Sequence, residues 1–113
     1  MNLKDSINKI LSKIPAKYRV TRTVSYEIVY IEEFPADNKQ VGECRTSDNI
    51  KQLVIKKNES TTETMSTIVH EMLHSLDAEN DIGLTEKQVY GLEKAIMKFF
   101  KLNNLFAIIA KLL

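Results

Sequence analysis

The chain has 113 residues, 43% of them hydrophobic and 27% charged, the profile of one ordinary globular domain over residues 1–113 and not of an intrinsically disordered chain. With 16 basic and 15 acidic side chains the net charge is +1, so no field draws in nucleic acid or an anionic membrane surface. Cys44 has no cysteine to pair with, the N-terminus lacks an apolar signal core, and the apolar stretch Leu105–Ala110 is far shorter than the roughly 20 residues of a membrane span, so the expected setting is reducing and cytoplasmic.

Leu3, Ile7, Ile10, Leu11 and Ile14 recur at helical spacing and predict a first helix that Pro15 ends. From Thr21 to Phe34 the chain turns β-branched and aromatic, predicting a strand closed by the turn sequence Phe34-Pro35-Ala36-Asp37-Asn38. Val41–Arg45 and Gln52–Lys57 are shorter strand candidates, which together make a small, mainly antiparallel sheet of about three strands. Ser60-Thr61-Thr62-Glu63 reads as a capping box. It opens a second helix from about Thr61 to Glu79, whose buried stripe comprises Met65, Ile68, Val69, Met72, Leu73 and Leu76. A second capping box, Thr85-Glu86-Lys87-Gln88, opens a third helix reaching about Leu102, where Asn103-Asn104 interrupt it. The tail Leu105–Leu113 carries one charge, Lys111. It is too apolar to leave in water, so it packs on the domain as a closing helix or offers a surface to a partner, a second copy of the chain included.

The second helix carries His70-Glu71-Met72-Leu73-His74, an HExxH motif. Residues four apart lie one turn apart on the same helix face, so both imidazoles can reach one ion while Glu71 projects beside them. Both histidines fall roughly 120° to 160° from the centre of the apolar stripe, which separates them from ordinary core histidines. A helix-borne pair of histidines with one carboxylate suits zinc, which lowers the pKa of water toward about 7, and Glu71 is placed to act as general base. The third ligand stays open between Glu86 and Glu93, seven residues apart on one face of the third helix. Asp77 suits a role accepting the outer N–H of a ligating histidine, a direct ligand role being the alternative. The metzincin extension would need Gly at 77 and His at 80, where the chain has Asp77 and Asn80. Tyr26, Tyr30 and Tyr90 are candidate donors to an oxyanion opposite the metal. Cys44 reads as an inert thiol, and Lys51, Lys56 and Lys57 as a basic cluster shielding a sheet edge.

Thr67 to His74, preceded by a strand and followed by Gly83-Leu84-Thr85-Glu86-Lys87-Gln88-Val89, resembles the small HExxH metallopeptidases of phages and prophages, themselves similar to ImmA/IrrE-type gluzincins. The resemblance covers about half of the chain, from about Ile50 to Asn103. It implies a glutamate opening the next helix three residues before an apolar position, which Glu86 before Val89 matches. It therefore favours Glu86 over Glu93. It also implies that an edge strand, Gln52–Lys57 or Val41–Arg45, aligns an extended peptide over the metal. The Glu-Ala-Asn helix signature of the ImmA/IrrE pattern is missing.

These readings converge on an α+β, minimal zincin-like domain: an N-terminal helix, a small mainly antiparallel sheet, the HExxH helix and a C-terminal helix. The expected activity is peptide-bond hydrolysis with Zn2+ on His70, His74 and Glu86, acting on a protein or peptide substrate. The alternative is a proteolytically inactive binding module of the same fold that works through protein–protein contacts.

Overall fold

The computed structural model describes residues 1–57 and 59–113. In chain order the elements are α1 (Leu3–Lys13), β1 (Lys17–Arg19), β2 (Ser25–Ile31), β3 (Gly42–Ser47), β4 (Ile50–Lys56), α2 (Thr61–Asn80), α3 (Glu86–Leu102) and α4 (Leu105–Leu112). This is the α+β zincin-like arrangement expected: an N-terminal helix, a small sheet, the HExxH helix and C-terminal helices.

The sheet differs from expectation in one strand and one pairing. Its order is β1-β2-β4-β3, with β1 antiparallel to β2 and β3 antiparallel to β4. Between them β2 and β4 run parallel, Glu27 opposite Gln52 through Ile31 opposite Lys56. The parallel pair arises because the chain leaves β2, crosses to the far side of the sheet, and returns through the β3–β4 hairpin. β4 is therefore internal, and Leu53, Val54 and Ile55 are all buried, the unbroken apolar run that a strand covered on both faces requires. The edges are the short β1 and, on the side of β4, β3. The lysines expected to guard an edge are instead separate ties: Lys51 to Glu79 at 2.8 Å, Lys56 to the Asn38 carbonyl at 3.0 Å, and Lys57 to Glu32 at 3.3 Å.

Two apolar clusters meet on α2. Tyr26, Ile28, Leu53 and Ile55 of the sheet pack on Ile68, while Ile7, Met97 and Phe106 of α1, α3 and α4 pack on Met65. Being sandwiched rotates the buried face of α2 away from the simple apolar stripe. Leu76, expected inside, is 41% exposed, whereas Ser75 and Glu71 are buried on the sheet side. Ser75 satisfies its hydroxyl with the Met72 carbonyl at 2.6 Å and the Tyr18 hydroxyl at 3.0 Å.

The Ser60 hydroxyl caps α2 by accepting from the Glu63 N–H, and Thr85 with Gln88 completes the box that opens α3. Asn104, at φ 55°, breaks α3 from α4 in a left-handed conformation that asparagine tolerates. α4 then lays Phe106 and Ala110 into the core, leaving Ile108, Leu112 and Leu113 exposed. Among the described residues no helix is long and apolar enough to cross a membrane.

Candidate metal centre

The middle of α2 projects His70, Glu71 and His74 so that one ligand atom of each lies within 4.8 Å of the others, close enough to hold one metal ion. One turn separates the imidazoles along the helix, and their rings meet edge-on with centroids 5.0 Å apart. The cluster is a potential metal-binding triad consistent with a generic zincin-like motif, set where the sheet edge, α2 and α3 enclose a groove of about 540 Å3.

The connection from α2 to α3 determines what faces the histidines. Asp77 does not touch them. Its Oδ1 accepts from the Gly83 N–H at 2.7 Å and the Leu84 N–H at 3.0 Å, which corrects the outer-partner role expected for it. Together with a left-handed Asp81 and a positive φ at Gly83, this folds the loop tightly and returns α3 along α2. Glu86, the first residue of α3, then reaches back across the groove. Its Oε1 lies 2.7 Å from Nε2 of His70 and its Oε2 lies 2.8 Å from Nε2 of His74. The carboxylate is 69% exposed on the open side of the groove, and it sits at a helix N-terminus where negative charge is favoured.

Glu93, two turns on, takes the other nitrogen: its Oε1 lies 3.1 Å from Nδ1 of His70, and its Oε2 accepts the Ser66 hydroxyl at 2.6 Å. The two glutamates left open by the sequence thus divide the two faces of one ring. Both ring nitrogens of His70 therefore face a glutamate oxygen, Nδ1 that of Glu93 and Nε2 that of Glu86, and the Glu93 contact fixes the orientation of the ring.

Glu71 lies against the sheet, 7% exposed. Burial is the largest influence pushing its carboxyl up to about 7. The charges of Glu86, Glu43 and Glu93 push the same way, and only His70 opposes them. A cation in the groove would act in the direction of His70. The space for this side chain exists because Gly42 lacks one: a Cβ there would stand 2.7 Å from Oε2 of Glu71 and 2.6 Å from Cγ2 of Thr67. Sequence reasoning passed over Gly42, although a glycine inside a strand is itself a sign of close approach. It also missed Ser66, whose contact with Glu93 across 27 positions leaves no local pattern.

The free edge of β3 borders the same groove. The Lys56 N–H donates to the Val41 carbonyl at 2.9 Å, so by antiparallel alternation Gly42, Cys44 and Thr46 turn their backbone groups outward. Gln40 covers the Gly42 carbonyl at 3.0 Å and Lys51 the Thr46 carbonyl at 2.9 Å, which leaves the Cys44 backbone facing the open edge. The Cys44 side chain packs into the sheet core, and burial raises its thiol to about 12. Of the three tyrosines considered, Tyr90 lines the groove with its ring 6.4 Å from that of His70. Tyr26 is fully buried and donates to Glu79, and Tyr30 is not among the groove residues.

No protein-family model, curated protein or solved structure matches the chain.

Proposed function

We propose that the chain is a zinc-dependent peptidase in which His70, His74 and Glu86 hold the metal and Glu71 is the general base. The observation that carries this reading is the single Glu86 carboxylate spanning Nε2 of both histidines, at 2.7 and 2.8 Å. Two imidazoles and one carboxylate brought together, with a fourth side open to the groove, are the donor set of a catalytic zinc site and not of a closed structural one. When bound, zinc supplies Lewis acidity, polarising a carbonyl and bringing the pKa of water near neutrality.

The chain's own residues do the rest. Glu93 orients His70 through Nδ1. In this reading the Cys44 amide and carbonyl on the β3 edge pair with an extended peptide, which runs on past Gly42 into the groove. Glu71 takes a proton on its carboxylate from the attacking water and returns it to the leaving amine. Tyr90, on the α3 wall, is the hydroxyl available to an oxyanion.

A second reading, a binding module without proteolysis, is favoured by the exposed apolar residues Phe99, Leu102, Ile108, Leu112 and Leu113. The likeness to small phage and prophage metallopeptidases, and a reducing cytoplasmic setting, belong to this proposal as well.

Elemental mass spectrometry on the native chain beside His70→Ala and Glu86→Ala tests the metal site. About one zinc per chain, abolished by His70→Ala and weakened by Glu86→Ala, is the expected result. Failure to take up zinc after reconstitution at neutral pH removes the peptidase reading and leaves the binding module.

A further inference from the structure

The groove at the metal centre does not end at Glu93. Ser66 and Glu93 form one of its walls and, on their other side, a wall of a second groove of about 510 Å3 running along α3. The two stretches have opposite charge. Around His70 the charged side chains of the lining are acidic but for one, with Glu63, Glu71, Glu86 and Glu93 against Lys39. Along α3 it is basic, with Lys94, Lys98 and Lys101 over an apolar floor that includes the buried Met97.

These lysines have no acid of their own. Among the described residues none forms an ion pair with a carboxylate, in contrast to Lys51, Lys56 and Lys57 on the sheet. The one contact recorded for the row is that of Lys94, whose ammonium lies 4.5 Å from the centroid of the Tyr90 ring and is thereby held where the two grooves meet. Helical rise sets Lys94 and Lys98 about 6 Å apart and Lys98 and Lys101 about 4.5 Å apart along the axis. Side chains on one face of an extended peptide repeat every 6.6 Å or so, close to the first of these spacings.

We propose that Lys94, Lys98 and Lys101 are the specificity row of the site, receiving acidic side chains at alternate positions of an extended peptide on one side of the bond that is cut. The proposal rests on the peptidase reading above. A peptide entering from the β3 edge and leaving over α3 would exchange solvent around three unpaired ammonium groups for carboxylates. An acidic segment placed in the other half would meet four glutamates, so the charge pattern also fixes the direction in which the substrate lies.

The test is digestion of a proteome-derived peptide library by the zinc-loaded native chain and by a Lys94→Glu/Lys98→Glu variant, with cleavage sites read by mass spectrometry and zinc content measured for both. Aspartate and glutamate enriched on one side of the cut by the native chain, with that enrichment lost or turned to lysine and arginine in the variant at equal zinc content, is the expected result. On a single acidic peptide taken from the library the variant should lose roughly tenfold in kcat/KM, carried by KM, because a remote charge adds to binding and not to the chemical step. Cleavage without acidic preference, or a preference unchanged in the variant, overturns the row and leaves the peptidase standing. No cleavage by the zinc-loaded native chain overturns both.

Discussion

Two glutamates stand two turns apart on α2, and the protein treats them in opposite ways. Glu79 has a side chain only 12% exposed, yet its Oε2 receives the Lys51 ammonium at 2.8 Å and the Tyr26 hydroxyl at 2.6 Å. The hydrogen bond from Lys51, followed by that from Tyr26, holds its carboxyl below the ordinary carboxylate value. Glu71 is buried with other carboxylates around it, and its pKa rises to about 7. A carboxylate supplied with donors ties sheet to helix; one denied them carries a free-energy cost that only a proton, a cation or a reacting water relieves.

The largest expected effect breaks the comparison at its chemical end. Replacing Glu71 by Gln in the zinc-loaded protein should reduce kcat for peptide hydrolysis by about 10²- to 10⁴-fold with zinc content unchanged, since a general base contributes that much. Hydrolysis that survives at near-native rate would take the base role from Glu71.

The same substitution should stabilise the metal-free fold. A carboxyl raised in the native state from 4.5 to about 7 contributes its full stability below pH 4.5 and loses it as pH rises through 7. Glu71→Gln should therefore be more stable than the parent by on the order of 2 kcal/mol at pH 8, after allowance for solvent screening, and level with it at pH 4. Urea melts of both chains, freed of metal, at the two pH values read this directly.

Glu93→Gln comes next. An amide can still accept from the ring but no longer supports it with charge, and zinc affinity should fall about tenfold, the low end for outer partners of ligating histidines. Competition with a chelating dye measures it, and an unchanged affinity would make the Glu93 contact merely structural.

The smallest effect is at Glu79, where the sign inverts. Glu79→Gln should cost about 1 kcal/mol at pH 7, the pair being damped because Lys51 is still 22% exposed. A lowered pKa gives stability that is present above the ordinary value of 4.5 and lost as pH falls through the depressed one. The variant's deficit should then close on acidification below pH 4.5, whereas Glu71→Gln shows a surplus over the parent that closes between pH 8 and pH 4, so the two differences have opposite sign. Parallel pH profiles for the two variants would dissolve the contrast drawn between them.

Much of this site follows from local spacing. His70, Glu71 and His74 lie within one helical turn or so, and their relation is the geometry of the helix itself. Ser60 and Thr85 likewise announce where α2 and α3 begin, because a cap and its N3 partner span four residues. Among the described residues, though, only Thr85 with Gln88 closes the full box, and Ser60 caps without the return bond from Glu63. What spacing could not decide is set by distant chain. Glu86 and Glu93 share a face of α3, and only the loop clamped by Asp77 assigns one to the Nε2 side and the other to Nδ1. The parallel pairing of β2 with β4 joins Glu27 to Gln52, and β1 is three residues long, too short for any periodicity to emerge. Leu76 was misplaced for a related reason: a helix packed on two sides has no single apolar stripe to read.

Gly42 shows where such a fold resists improvement. By strand propensity it is the weakest residue of β3, and a protein engineer seeking a stiffer edge would replace it first. A single methyl group there would overlap Glu71 and Thr67 at under 3 Å, pushing the base from its place or α2 from the sheet. The edge cannot be stiffened at this position, because the methyl group that would favour the strand costs more in overpacking against α2 than it gains in propensity.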